Sequence, residues 1–64
     1  MDEWIAKAVG KMHINKITQS DIAKKLNVTR EYINMILTGK KFPANAEERI
    51  ATAIDDIIAD RQSN

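Results

Sequence analysis

The segment TQSDIAKKLNVTREYINMILTGK, residues 18–40, decides how this chain folds. Its apolar residues fall in two groups, spaced i, i+1, i+4 in the first and i, i+3, i+4 in the second, which puts each group on one face of a helix, as is typical of amphipathic helices. The two groups are Ile22, Ala23 and Leu26, and then Ile33, Ile36 and Leu37. Asn27 and Val28 directly follow the first group, at the point where the chain must reverse. The segment therefore predicts two short helices with a corner that Val28 fills.

The first of these helices has a clear beginning and a clear end. Thr18 is a good N-cap, and Asp21, three residues later, completes a capping box. The helix is therefore expected at about Gln19–Leu26. Asn27 then stands where the chain needs a left-handed residue, a conformation that asparagine tolerates best after glycine.

The second helix is bounded in the same way. Thr29 is an N-cap, which places this helix at about Arg30–Leu37, and Gly39 ends it. Residues 18–38 together have the form of a helix-turn-helix unit, a motif that places its second helix in the major groove of DNA. In the loop that follows, Phe42 is expected to turn into the core.

A helix is also predicted before this unit. Asp2 and Glu3 favour a helix start near the N-terminus, because carboxylates stabilise the positive end of the helix dipole. The apolar positions that follow at helical spacing are Trp4, Ile5, Ala8, Val9 and Met12.

A fourth helix is predicted after the unit. Asn45 and Glu48 have the spacing of an N-cap and a capping box, which places this helix at about Ala46–Ala59. Its inward stripe is Ile50, Ala53, Ile54, Ile57 and Ile58. We expect residues 61–64 to fray.

Composition and pattern limit the class of protein. The apolar residues follow a helical period throughout, so the expected fold class is all-α, one compact four-helix domain over residues 1–60. The chain has no cysteine, and His13 is its only histidine, so no metal or other cofactor is expected. No nucleophile-with-base arrangement or phosphate-binding glycine motif is present, and we expect no enzymatic activity. Without a long apolar run or a signal peptide, a cytoplasmic protein with no membrane contact is expected.

The net charge of +1 is distributed unevenly along the chain. Residues 1–43 hold eight basic and four acidic residues, a net charge of +4, and residues 44–64 hold two basic and five acidic residues, a net charge of −3. The basic part contains the helix-turn-helix unit, as binding to DNA phosphates requires. Solvation of helix surfaces explains the same distribution, so charge alone leaves both interpretations open.

Residues 18–43 resemble the lambda-repressor-like family, the Cro and repressor helix-turn-helix domains common in phages and mobile elements. The resemblance rests on T-Q at the start, I-A in the first helix, L-N-V at the turn, T at the second cap, I-N-x-I in the second helix and G-K-x-x-P after it. Asn27 departs from the family, which more often has glycine there, and family repressors commonly have a fifth helix or more. The resemblance implies a small, sequence-specific regulator that binds double-stranded DNA at the nucleoid of a bacterial host cell.

The buried stripe of the second helix determines which of its residues face outward. A rotation of 100° per residue, with Ile33, Ile36 and Leu37 inside, gives the orientation of every other side chain. Glu31, Met35 and Thr38 then lie opposite the core, with Arg30 and Asn34 on one flank and Tyr32 on the other.

Four of these residues are candidates for contacts to bases. Arg30 has the geometry to bind guanine, Asn34 to bind adenine, and Glu31 to accept from cytosine N4. Met35 has the apolar surface to contact a thymine methyl group. The competing roles are a salt bridge for Arg30, orientation of Arg30 for Glu31, simple solvation for Asn34, and packing at the edge of the core for Met35.

Six residues are candidates for contacts to the DNA backbone, which fix register rather than sequence. They are Gln19, Thr29, Tyr32, Thr38, Lys40 and Lys41. The family resemblance implies a phosphate contact for Gln19 at the start of its helix. The competing roles are a helix cap for Thr29, packing on the loop for Tyr32, and solvation for the two lysines. Lys24 and Lys25 are expected to project without a dedicated contact.

The leading hypothesis is a Cro- or repressor-like transcriptional regulator that acts by occupying an operator. The rival hypothesis is a protein-interaction module, antitoxin-like or antirepressor-like, which keeps the helix-turn-helix as a scaffold. An exposed isoleucine patch on the fourth helix would favour that rival. One such domain contacts few base pairs, so we also expect weak homodimerisation, in solution or only on DNA, around Trp4 or the fourth helix.

Overall fold

The computed structural model describes residues 2–63, and these form four α-helices and no strand. The helices are α1 (Glu3–Ile14), α2 (Gln19–Leu26), α3 (Arg30–Leu37) and α4 (Ala46–Gln62). α2 packs against both α3 and α4, and α1 packs against α4. The predicted bounds of α2 and α3 and the all-α fold class are confirmed. Residue 1 of the predicted domain and residue 64 of the predicted tail lie outside the described residues.

Isoleucines from three helices form the centre of the core. Ile22 of α2, Ile33 of α3, and Ile50 and Ile54 of α4 are at most 1 % exposed. The other buried apolar residues are Ile5, Met12, Ile17, Ala23, Ile36, Leu37, Ala46 and Ala53. Within residues 2–63 no polar or charged side chain is buried, so this interior is entirely apolar. Each predicted stripe is confirmed in outline, although Val9 is 41 % exposed.

Three helices end in the same left-handed turn. Lys16, Asn27 and Gly39 have φ angles of 56°, 58° and 78°. In each case the next amide donates to a carbonyl five residues earlier, which is the Schellman arrangement. These bonds are Ile17 N to Met12 O at 2.8 Å, Val28 N to Ala23 O at 2.9 Å, and Lys40 N to Met35 O at 2.8 Å. The helix ends at Asn27 and Gly39 were predicted, whereas the left-handed Lys16 was not, because lysine gives no local signal for it.

The beginning of α4 differs from the prediction. Asn45 precedes the helix as expected, but its φ of 64° and ψ of 17° are left-handed, and its side chain makes no capping hydrogen bond. A side-chain cap requires extended backbone at this position, as Thr18 has with φ −96° and ψ 165°. The predicted capping box of Asn45 and Glu48 is therefore wrong.

Phe42 does not turn into the core as predicted, since it is 74 % exposed. Ile36 and Ala46, which line the same surface groove as Phe42, are themselves buried. Phe42 lies instead at the rim of a surface groove that it shares with Trp4.

The end of α4 also differs from the prediction. The helix continues to Gln62, three residues beyond the predicted end at Ala59. Arg61 donates a hydrogen bond to the carbonyl of Asn15 at 2.7 Å, which ties the last turn to the end of α1. Two residues of the tail that was predicted to fray thus belong to the helix.

Lys16→Gly should stabilise the protein, because glycine adopts a φ of 56° without the steric cost that a Cβ brings. The greater freedom of glycine in the unfolded chain offsets part of this, which leaves a gain of about 0.5–1 kcal/mol in the free energy of unfolding. The matched control is Lys7→Gly, an exposed site inside α1, which should lose about 0.5–1 kcal/mol. Urea unfolding followed by circular dichroism measures both, and a loss at both sites would contradict the prediction.

Candidate nucleic-acid interface

The outward face of α3 is set by its cap and its buried stripe. The Thr29 hydroxyl accepts a hydrogen bond from the amide of Tyr32 at 3.1 Å, which holds the first turn. Ile33 is fully buried and fixes the rotation of the helix. Arg30, Glu31 and Thr38 are then exposed, and Asn34 and Met35 are half-buried.

Arg30 and Glu31 stand together at the beginning of α3. The ion pairs formed within residues 2–63 include neither of them. The salt bridge considered for Arg30 is therefore not formed, and Glu31 does not hold Arg30 in place. Both charges are available to a ligand that approaches this end of the helix.

Asn34 connects the two helices of the unit. Its side-chain amide donates to the Gln19 carbonyl oxygen at 3.3 Å, between residues fifteen positions apart. The hydroxyl of Thr38 donates a hydrogen bond to the backbone carbonyl of Asn34 at 2.8 Å, so its hydrogen is already bonded to the last turn of α3. The polar end of Asn34 thus faces the first residue of α2 and is not simply solvated.

The turn after α3 places two lysines beside the helix. The amides of Lys40 and Lys41 both donate to the carbonyl of Met35, at 2.8 and 3.1 Å. The ammonium of Lys41 lies 5.8 Å from the centroid of the Tyr32 ring, within range of a cation–π interaction. Tyr32 therefore does pack beside the loop, and Tyr32 and Lys41 lie next to each other on the surface.

Other cations are paired with acidic residues away from α3. Lys11 binds Asp55 at 2.7 Å and Lys25 binds Asp60 at 3.0 Å. The expectation that Lys25 has no dedicated contact is therefore wrong, and its hydrogen bond to Asp60 raises the pKa of Lys25. Carboxylates of α4 thus compensate lysines on α1 and α2.

Comparison with protein families agrees with this geometry. A helix-turn-helix family model matches residues 15–47, just over half of the chain, and spans both α2 and α3. The chain belongs to the lambda-repressor-like helix-turn-helix family. This is a family of DNA-binding regulators. No curated protein and no solved structure matches the chain. Within residues 2–63, none of the helices has the length and hydropathy to cross a membrane.

The capping box at the beginning of the helix-turn-helix unit is confirmed. The amide of Thr18 donates to Asp21 Oδ2 at 2.9 Å, and the amide of Asp21 donates to Thr18 Oγ1 at 3.1 Å. The bond from the Thr18 amide is the main reason that the pKa of Asp21 is lowered, and the nearby charge of Arg61 lowers it further. Partial burial acts in the opposite direction.

Sequence reasoning missed Arg61, which touches this first turn of the helix-turn-helix unit. Its guanidinium lies 3.4 Å from Asp21 Oδ2. The sequence does contain a signal for it, because Arg61 continues the spacing of Ile50, Ile54 and Ile57 along α4. A long polar side chain at the end of an inward stripe can reach across to a neighbouring turn.

Asp21→Asn should destabilise the protein only where the native carboxylate is ionised. Because the folded pKa of Asp21 lies below its ordinary 3.8, its contribution is complete above that value and is lost as the pH falls through the folded pKa. The substitution should therefore cost about 1 kcal/mol of unfolding free energy at about pH 7, and clearly less at about pH 2, where protonation of the carboxylate reduces its contribution. Urea titrations of both proteins measure this difference, and an equal loss at the two pH values would refute it.

Proposed function

We propose that this protein binds a specific sequence of double-stranded DNA and acts as a small Cro- or repressor-like transcriptional regulator. The observation that carries the proposal is the hydrogen bond of 3.3 Å between Asn34 Nδ2 and Gln19 Oε1. It joins the outward face of α3 to the first residue of α2, so a groove-facing helix and a backbone-facing helix end form one surface. A protein bound in this way excludes polymerase or a competing regulator from the same DNA.

The proposed base contacts come from the outward face of α3. Arg30 donates two hydrogen bonds to guanine O6 and N7, and Glu31 accepts from cytosine N4. Asn34, oriented by Gln19, binds adenine, and Met35 contacts a thymine methyl group. The exposure of Arg30 and Glu31 supports these roles.

The proposed backbone contacts surround this face and fix the register of the protein on DNA. Gln19 binds a phosphate together with the exposed amides at the beginning of α2. The other backbone contacts are Thr29, Tyr32, Thr38, Lys40 and Lys41. Thr38 exchanges its hydrogen bond to the Asn34 carbonyl for one to a phosphate. The cation–π contact of Lys41 with Tyr32 supports a shared contact from these two residues.

The proposal extends to the setting in which the protein acts. Resemblance to small regulators of phages and mobile elements supports an origin of that kind and action at the nucleoid in the cytoplasm of a bacterial host. This mechanism needs no enzymatic step and no cofactor, because a protein bound at a promoter is enough to block transcription.

Substitution of base-contacting and phosphate-contacting residues should have different effects. Selection of bound duplexes from a random pool should enrich a short motif, an inverted repeat with half-site centres about one helical turn apart. On that motif Arg30→Ala should lose about 1–3 kcal/mol of binding free energy, mainly at one base pair. Lys40→Ala should weaken binding to the motif and to random duplexes alike, and reduce the salt slope by about 1.

The double variant Arg30→Ala with Asn34→Ala is the control for this selection. Both side chains lie away from the buried Ile33, so the variant should keep its helicity and lose the enrichment. If the native protein enriches nothing at low salt, the DNA-binding proposal is wrong and the interaction-module alternative takes its place. That alternative lacks its expected feature, because the large exposed apolar side chains within residues 2–63 are Val9, Ile14 and Phe42, none of them on α4.

A weak homodimer, formed in solution or only on DNA, is part of the proposal. Trp4, Phe42 and Pro43 line a surface groove of about 500 Å³ between α1 and the beginning of α4. Lys41 and Glu47 lie at the same groove. Charges of both signs beside an apolar centre favour a second copy of the same surface, because a two-fold axis through the groove can bring the lysine of each copy near the glutamate of the other.

Phe42→Ser should therefore weaken self-association without weakening the fold, since Phe42 is 74 % exposed. Sedimentation with and without the selected duplex should give two copies per inverted repeat for the native protein and mainly one for the variant. Ile14→Ser is the matched control, because Ile14 is 79 % exposed and lies outside the groove. A native protein that binds a single, non-repeated site as one copy at full affinity would rule out the dimer.

A further inference from the structure

Arg61 joins the end of the chain to the beginning of the helix-turn-helix unit. Its Nη1 donates to the backbone carbonyls of Asn15 and Lys16, at 2.7 and 3.3 Å. Its Nη2 donates to Asp21 Oδ2 at 3.4 Å. One guanidinium thus contacts two backbone carbonyls of the turn between α1 and α2 and the carboxylate in the first turn of α2.

The carboxylate of Asp21 has two partners. The oxygen that binds Arg61 also accepts the capping hydrogen bond from the amide of Thr18, at 2.9 Å. Ionisation of this carboxylate strengthens the cap, but the resulting negative charge lies two residues from Gln19. A phosphate that approaches Gln19 is repelled by that charge unless a cation offsets it.

Arg61 is the cation in direct contact with this carboxylate, and Lys24 adds a smaller electrostatic effect. The other two ion pairs within residues 2–63 join side chains on the bodies of helices, Lys11 with Asp55 and Lys25 with Asp60. The pair formed by Arg61 differs from these because the same side chain also holds backbone carbonyls of a turn. Its side chain is 46 % exposed, and exposed ion pairs contribute little to folding stability. The ion pair therefore adds little stability beyond the two bonds to the turn, and its position beside Gln19 points to a role at the surface.

We propose that Arg61 is a positioning residue for DNA binding, which holds the turn before α2 and neutralises Asp21 beside Gln19. The inference rests on the proposed function, and it adds a residue outside the helix-turn-helix unit to the determinants of affinity. Arg61 acts through Asp21 and the turn, and makes no phosphate contact of its own.

The test compares Arg61→Gln with Lys11→Gln, a matched variant that removes one positive charge from an ion pair with no contact to the α1–α2 turn. Binding to the duplex selected by the native protein and to a random duplex is measured at several salt concentrations, at a temperature where circular dichroism shows both variants folded. Arg61→Gln should weaken binding to both duplexes by about threefold to tenfold, the size expected for one uncompensated charge beside a phosphate at a solvated surface. The salt slope should stay within about half a unit of the native value, since no phosphate contact is removed. Lys11→Gln should bind within about twofold of the native protein.

A second variant, Arg61→Gln with Asp21→Asn, distinguishes neutralisation of Asp21 by Arg61 from a merely structural role of Arg61, because it also removes the charge that Arg61 would neutralise. The double variant loses the ionised cap and should unfold more easily than Arg61→Gln, yet it should recover DNA affinity to within about threefold of the native protein. Amide chemical shifts of Gln19 and Ser20 in the free protein should move in Arg61→Gln and stay fixed in Lys11→Gln.

Three results would overturn the inference. Equal affinities of Arg61→Gln and Lys11→Gln would show that the contact has no role in binding. A salt slope reduced by about 1, with no recovery on adding Asp21→Asn, would make Arg61 a direct phosphate ligand. Failure of the native protein to bind any duplex would reject the proposed function and this inference with it. This outcome is distinguishable from the other two because it is seen with the native protein alone, before any variant is compared.

Discussion

The relation between α2 and α3 depends on one left-handed residue. Asn27, with φ 58°, ends α2 and directs the amide of Val28 back to the carbonyl of Ala23 at 2.9 Å. Val28 then packs against the core and the chain enters α3 two residues later. A left-handed conformation costs about 1–2 kcal/mol for most residues, and asparagine reduces that cost by hydrogen bonding locally. The bond between Gln19 and Asn34 becomes possible because this corner brings the two helices together.

The bounds of α2 and α3 could be predicted because their determinants lie within a few residues of each helix end. Thr18 and Thr29 have extended backbones and cap the helices that follow them. Gly39 supplies a positive φ at the other end of α3. The outward face of α3 could be predicted for a similar reason, since the burial of Ile33 fixes the rotation of a helix with a known period.

The incorrect predictions concern residues whose local sequence is compatible with two structures. Asparagine is common both as an extended N-cap and as a left-handed turn residue, and Asn45 adopts the second form. Phe42 is a large apolar side chain of the kind that usually lies in a core, but it is exposed, while Ile36 and Ala46 along the same groove are buried. The spacing along α4 places Arg61 on the inward side of that helix, but the groups that Arg61 and Lys25 contact depend on where α4 passes relative to α1 and α2, which no pattern within α4 specifies.

The distribution of ion pairs explains how a chain with a net charge of +1 can present a cationic surface. Asp55 and Asp60 of α4 compensate lysines on α1 and α2, while Arg30 and Lys40 beside α3 take part in none of the ion pairs formed within residues 2–63. Because the Debye length is about 8 Å at physiological salt, a phosphate beside α3 responds mainly to the charges within that distance. A nearly neutral protein of this size therefore avoids strong self-repulsion in the folded state and keeps positive charge where α3 is exposed. Net charge is a poor guide to DNA binding here, and the pairing of each cation is the better one.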